Sequence, residues 1–140
     1  MRLLKLLMML IFLVGSYAFA QEVKDEDIRV TYFKAMDHYP LAAWAGGHIE
    51  GVVVVRAKLD NDGKVIDAQA ISGKKALIPD TLENIKAWKF AVNEQKTVIV
   101  VYDYRIDKGL CYGSLLSQFL FYPPNLVTVR RCEEIVSTSQ

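Results

Sequence analysis

Between Ile49 and Ser72 two β-rich runs, IEGVVVVRAKL and KVIDAQAIS, flank Asp60-Asn61-Asp62-Gly63, and this pairing constrains the fold more than any other stretch. Asn, Asp and Gly tolerate the positive φ angles that a tight hairpin turn requires. In the first run Val53, Val55, Ala57 and Leu59 share one face while Arg56 and Lys58 share the other, so the strand has one buried and one wet side. The returning run alternates imperfectly, which predicts a bulge.

The flanking segments fit around this hairpin. Upstream, Tyr39-Pro40 breaks the backbone, and LAAWA makes a short helical turn that stops at Gly46-Gly47. Downstream, Ser72-Gly73 ends the second strand. A helix is expected from Pro79-Asp80, with Asp80 and Glu83 at capping-box spacing. Ile78, Leu82, Ile85 and Trp88 recur at helical period and predict the packed stripe, with Trp88 in the core. A polar turn, AVNEQK, then leads into a third strand, TVIVVYDYRI, Thr97 to Ile106. The segment from Gln21 to His38 is a lead-in whose periodicity leaves strand and helix both open.

At the N-terminus, Arg2 and Lys5 precede or interrupt the apolar run LLMMLIFLV, and Ala18-Phe19-Ala20 offers small residues where a signal peptidase reads them. The 15 residues from Leu6 to Ala20 fall short of the ~20 needed to span a bilayer. Residues 1–20 are therefore read as a cleaved signal peptide, and the working protein as starting at Gln21 in the periplasm. An uncleaved segment anchoring the chain in the inner membrane is the alternative. Without Arg2 and Lys5 the chain keeps 15 basic residues against 16 acidic ones, which leaves no electrostatic footprint for nucleic acid.

No constellation in the chain points to catalysis. His38 and His48 stand apart from other catalytic residue types, no serine occupies a nucleophile elbow, and no glycine-rich loop precedes a helix. Asp60, Asp62, Asp67 and Asp103 are explained by turn chemistry and solvation. No enzyme activity, cofactor or metal is expected. In an exported chain the two cysteines, Cys111 and Cys132, read first as a disulfide, contributing ~3 kcal/mol by loop closure. A metal site shared with His38 and His48 is the rival reading, although it lacks the short ligand spacing of zinc motifs. The tail SQFLFYPPNLVTVRRC contains two strand-like runs around Pro123-Pro124-Asn125 and predicts a hairpin that would extend the sheet.

The order of these parts resembles a known family. Tyr39-Pro40, a small-residue helix ending in Gly, Ile49-Glu50-Gly51-Val52-Val53-Val54, Asp62-Gly63-Lys64-Val65, Ser72-Gly73 and Ala87-Trp88-Lys89-Phe90 before a strand are similar to the C-terminal domain of TonB energy transducers, over residues 39–106. Ala91 stands where the family commonly has proline after WKF. The resemblance implies an α+β fold: a three-stranded antiparallel sheet with two helices on one face, which the tail hairpin would extend across 107–140. It also implies a non-enzymatic module that grips an extended segment of an outer-membrane transporter, or of another envelope protein, by pairing it with the third strand. The contact residues would be Thr97, Val98, Ile99, Val100, Val101, Tyr102 and Tyr104, with Val98, Val100 and Tyr102, or Ile99, Val101 and Tyr104, setting preference. Neither a transducer's membrane anchor nor its proline-rich spacer is read between Met1 and His38, so a stand-alone exported domain is expected. A second class stays open: a structural or self-associating envelope protein, with the same edge filled by its own tail or by a second copy.

Overall fold

The structure, a computed structural model, describes residues 28–109 and 117–134. The expected signal peptide, the first seven residues of the lead-in (21–27) and Cys111 lie outside the described residues. Strand β1 (Val30–Tyr32) is followed by helix α1 (Leu41–Ala45), strands β2 (Gly51–Leu59) and β3 (Val65–Ser72), and helix α2 (Ile78–Lys86). Strand β4 (Lys89–Phe90), the long β5 (Thr97–Gly109), β6 (Ser117–Tyr122) and β7 (Leu126–Glu134) complete the chain.

The hairpin forms as its turn chemistry dictates. Asp60 Oδ1 accepts the amides of Asp62 and Lys64, each at 2.9 Å, and Gly63 takes φ +77°. A side chain at Gly63 is impossible, because its Cβ would lie 1.8 Å from the Phe90 carbonyl oxygen. The turn is thereby docked on β4, with Phe90 N–H donating to the Gly63 carbonyl at 2.9 Å. Val53, Val55, Ala57 and Leu59 are buried and Arg56 and Lys58 exposed, as the alternation requires. The β2–β3 register slips twice, leaving Ile66 and Ile71 as the extra residues. Both are turned outward, at 65% and 51% exposure, so the bulges account for the broken alternation.

The five-stranded sheet has the order β3-β2-β5-β7-β6. Its inner face carries Val53, Val55, Val98, Val100, Tyr102, Tyr104, Val127 and Val129, all buried in one core with Ala43, Leu77, Ile85, Trp88 and Phe90. Both helices lie over this face, which agrees with the expected layering. The expected strand count and direction need correction: the sheet is mixed, because β7 runs parallel to β5 while β6 returns antiparallel outside it. Val127 and Val129 are compact enough to be fully covered at the inner position. The bulkier Phe119 and Phe121 of β6 stay half-buried at the rim.

Helix α2 also departs from expectation. Its N-cap is Leu77, without a side-chain cap, and Pro79 sits in the first turn, so the Asp80/Glu83 capping box does not form. The buried stripe is Leu77, Thr81, Asn84, Ile85 and Trp88, with Ile78 and Leu82 only half-buried. It is rotated from the expected one because the tyrosines of β5 supply polar partners that only Thr81 and Asn84 can satisfy. The lead-in resolves as a strand: β1 pairs with Lys89 and Phe90 in a separate two-stranded ribbon. This ribbon holds Phe33 over Trp88, with ring centroids 5.7 Å apart.

Candidate functional site: the outer edge of β5

Within β5 the side chains alternate strictly. Val98, Val100, Tyr102 and Tyr104 all point into the core, while Thr97, Ile99 and Val101 lie half-buried on the opposite face. Tyr104 therefore belongs with Tyr102, and its expected grouping with Ile99 and Val101 was out of parity. The two tyrosines are bound to α2 through their hydroxyls. Tyr102 donates to Asn84 Oδ1 at 2.8 Å, and the same oxygen accepts the Trp88 indole N–H at 3.1 Å. Asn84 Nδ2 donates to the Lys34 carbonyl at 2.8 Å, which ties the lead-in to the same node. The Tyr104 hydroxyl meets Thr81 Oγ1 at 2.6 Å, and Thr81 in turn donates to the Leu77 carbonyl. Tyr39 packs edge-on against Tyr104 and donates to the Ile49 carbonyl at 2.7 Å. Burial raises all three phenols: Tyr39 is pushed up to about 12, with the nearby carboxylates of Glu50 and Asp103 adding to the effect, and Tyr102 and Tyr104 stand well above the ordinary phenol range.

The main-chain edge of β5 away from β2 is occupied along its length. From Val101 to Gly109 it pairs with β7, residue by residue from Leu126 to Glu134. Ahead of that ladder the closure passes to two asparagines. The Val101 N–H donates to the Asn125 carbonyl at 2.9 Å, and Asn125 Nδ2 donates to the Ile99 carbonyl at 3.2 Å. At Thr97 a single side chain takes both groups: Asn93 Oδ1 accepts its N–H and Asn93 Nδ2 donates to its carbonyl. The turn before the strand closes without glycine, because Lys96 adopts φ +48°.

The far end of β7 is held against α1 and the loop after it. The Arg131 guanidinium stands 3.8 Å from the Trp44 ring centroid, His48 stacks on Trp44 with centroids 4.0 Å apart, and His48 Nδ1 lies 3.4 Å from a Glu133 carboxylate oxygen. The other histidine, His38, pairs with Asp37 at the surface. The structure therefore separates the two histidines, and among the described residues no three or more potential metal ligands come together. Cys132 lies on β7, in register with Asp107.

The family model for the Gram-negative bacterial TonB protein C-terminal domain matches residues 37–107. The chain belongs to the TonB C-terminal family. No curated protein and no solved structure matches it significantly. Within the TonB C-terminal match lie α1, β2, β3, α2, β4 and nearly all of β5. The ribbon strand β1 and the covering hairpin β6–β7 lie outside it. The family's domain is an interaction module and not an enzyme. No helix among the described residues is long and apolar enough to cross a membrane.

Sequence reasoning missed Asn93, Asn125 and the ribbon of β1 with β4. An asparagine at each point where a polar turn meets the edge of a β-branched strand was the available signal, since its amide offers one donor and one acceptor in the manner of a peptide group.

Proposed function

We propose that the chain is an exported, periplasmic interaction module that works with its β5 edge closed. It serves as a structural or self-associating component of the envelope and does not take an extended transporter segment onto Thr97–Tyr104. The observation that carries this reading is the occupied edge: β7 over Val101–Gly109, and Asn125 and Asn93 over Ile99 and Thr97. A strand tethered to the same chain has a large effective-concentration advantage over a free peptide offering the same main-chain bonds. Displacing β7 would also uncover Val127 and Val129, which are fully buried, and burial of such side chains stabilises by ~1.5–3 kcal/mol each.

The test titrates the full chain with extended peptides of the kind recognised by transducers of this family, with amide shifts read residue by residue. Unperturbed Thr97–Tyr104 amides are the expected result. Saturable shifts there, with loss of exchange protection in β7, would favour transporter docking instead. Export is tested separately by mass spectrometry of protein isolated from the envelope. The expected N-terminus is Gln21, and an intact Met1 in the membrane fraction would support the anchored alternative.

A further inference from the structure

The two outer strands of the sheet differ in how they are protected. Strand β3 bulges at Ile66 and Ile71 and carries Asp67, devices that discourage another strand from pairing there. Strand β6, Ser-Gln-Phe-Leu-Phe-Tyr, has none of them: it contains no charge, no proline, no glycine and no break in its register with β7. Among the described residues nothing pairs with its outer side. Its surroundings are also apolar. Phe33 lies over Phe119 and Phe121, with centroids at 6.0 and 5.1 Å, yet is 41% exposed, and Tyr122 is 47% exposed.

We infer that β6 pairs with the β6 of a second copy of this chain, antiparallel about a two-fold axis, so that two five-stranded sheets become one. The strand is suited to itself. Antiparallel partners that keep the inner faces on one side must pair residues of equal parity, and a register centred on Leu120 does so. Leu120 then meets its own counterpart, Phe119 meets Phe121, and Gln118 meets Tyr122. Every pair is neutral, and the two Phe–Phe pairs are of the kind that stabilises antiparallel ladders. Alternate residues direct their main-chain groups outward, which gives about four to six new hydrogen bonds. Phe33 of each copy extends the aromatic contact beyond the edge. The isologous arrangement is the commonest form of homodimer. This inference deepens the self-associating reading above, but it falls separately from it: a monomer that also ignores extended peptides would leave the β5 edge closed and remove the dimer.

The test uses the full chain in sedimentation equilibrium, with Leu120→Lys and Leu120→Glu studied singly and mixed. Leu120 is on the outer face, where a long charged side chain can extend into water, and circular dichroism checks that each variant folds. The expected result is a concentration-dependent dimer in the parent chain, monomer in each variant alone, and dimer restored on mixing, since like charges would face each other only in the unmixed samples. Without any substitution, amide exchange of Ser117–Tyr122 should slow as the parent chain is concentrated. A parent chain still monomeric at roughly 1 mM, corresponding to binding weaker than about −4 kcal/mol, overturns the inference. So does a dimer that survives both single variants, or β6 protection that ignores concentration. β6 protection appearing only on addition of another envelope protein also overturns it. Should neither variant fold, the exchange comparison decides alone.

Discussion

Asn93 closes both main-chain groups of Thr97: its Oδ1 accepts the Thr97 N–H at 3.1 Å, and its Nδ2 donates to the Thr97 carbonyl at 2.7 Å. One side-chain amide thus stands where the next residue of a neighbouring strand would stand. Asn125 repeats the device two residues along, with its backbone carbonyl on Val101 and its side chain on Ile99. Together they carry the closure of β5 back to its first residue, ahead of the β7 ladder.

Replacing Asn93 by Ala leaves the Thr97 groups to water and is expected to cost about 0.5–1.5 kcal/mol. Urea unfolding measures the loss, and hydrogen exchange should show the Thr97 amide opening while Tyr102 and Tyr104 stay protected. Asn93→Asp keeps an acceptor for the N–H but sets a carboxylate oxygen against the Thr97 carbonyl. It should therefore restore none of the stability, and full recovery with Asp would show that the Nδ2 donor is irrelevant.

Asn84 is the node under the sheet. Its Oδ1 accepts from Tyr102 and Trp88 and its Nδ2 donates to Lys34, so Asn84→Leu strands a phenol, an indole N–H and a carbonyl together. A loss of about 2–4 kcal/mol is expected, because each buried polar group left without a partner costs about 1–3 kcal/mol and water reaches some of them. Pairing this substitution with Tyr102→Phe removes one stranded group. The double variant should then be less destabilised than the sum of the singles, as a double-mutant cycle reads directly.

The three buried phenols set an alkaline limit. Their folded values are raised above the ordinary phenol value of 10.0, Tyr39 to about 12 and Tyr102 and Tyr104 further, chiefly by burial. A raised value means that the folded state holds its protons where the unfolded state releases them. The associated stability is complete below pH 10 and declines as pH rises above it. Thermal stability should therefore fall steadily above pH 10, and the tyrosinate absorbance of Tyr39, Tyr102 and Tyr104 should appear with unfolding instead of before it. Ionisation of all the tyrosines near pH 10 in a still-folded chain would contradict the burial.

Much of the core was legible because alternation on β2 and helical period near Trp88 are local signals. Val53 through Leu59 fall where their spacing puts them, and the hairpin turn follows from Asp60 and Gly63. What escaped depended on residues distant in sequence. The α2 stripe is rotated toward Thr81 and Asn84 because the hydroxyls of Tyr104 and Tyr102 wait across the interface, and nothing within residues 78–88 records that. Periodicity likewise placed a hairpin in the tail but not its direction. The choice between β6 and β7 as neighbour of β5 rests on which inward side chains fill the space beside Tyr102 and Tyr104, and Val127 and Val129 fill it. The lead-in was ambiguous because the three residues of β1 are too few to show a period, and their partner is Lys89-Phe90 on the far side of the domain's sequence.

The proposed link between Cys111 and Cys132 can be judged through the cooperativity of unfolding. Counting thiols under denaturing conditions in freshly isolated protein should give none, and two would refute the link. Cys132 lies on β7 only three residues beyond Val129, and Val129 is buried in the same core as Val100, Tyr102 and Trp88. The tail is thus part of the same folding unit as residues 39–106 and is expected to unfold with them. Reduction is expected to lower stability by ~3 kcal/mol through restored freedom of the unfolded chain, with one transition seen alike by tryptophan fluorescence and far-ultraviolet dichroism. Two separated transitions on reduction, the first confined to the exchange of β6 and β7 amides, would show instead that the hairpin detaches as a unit. In that case the β5 edge could be opened by redox conditions alone, and peptide titration of the reduced chain would become the decisive measurement.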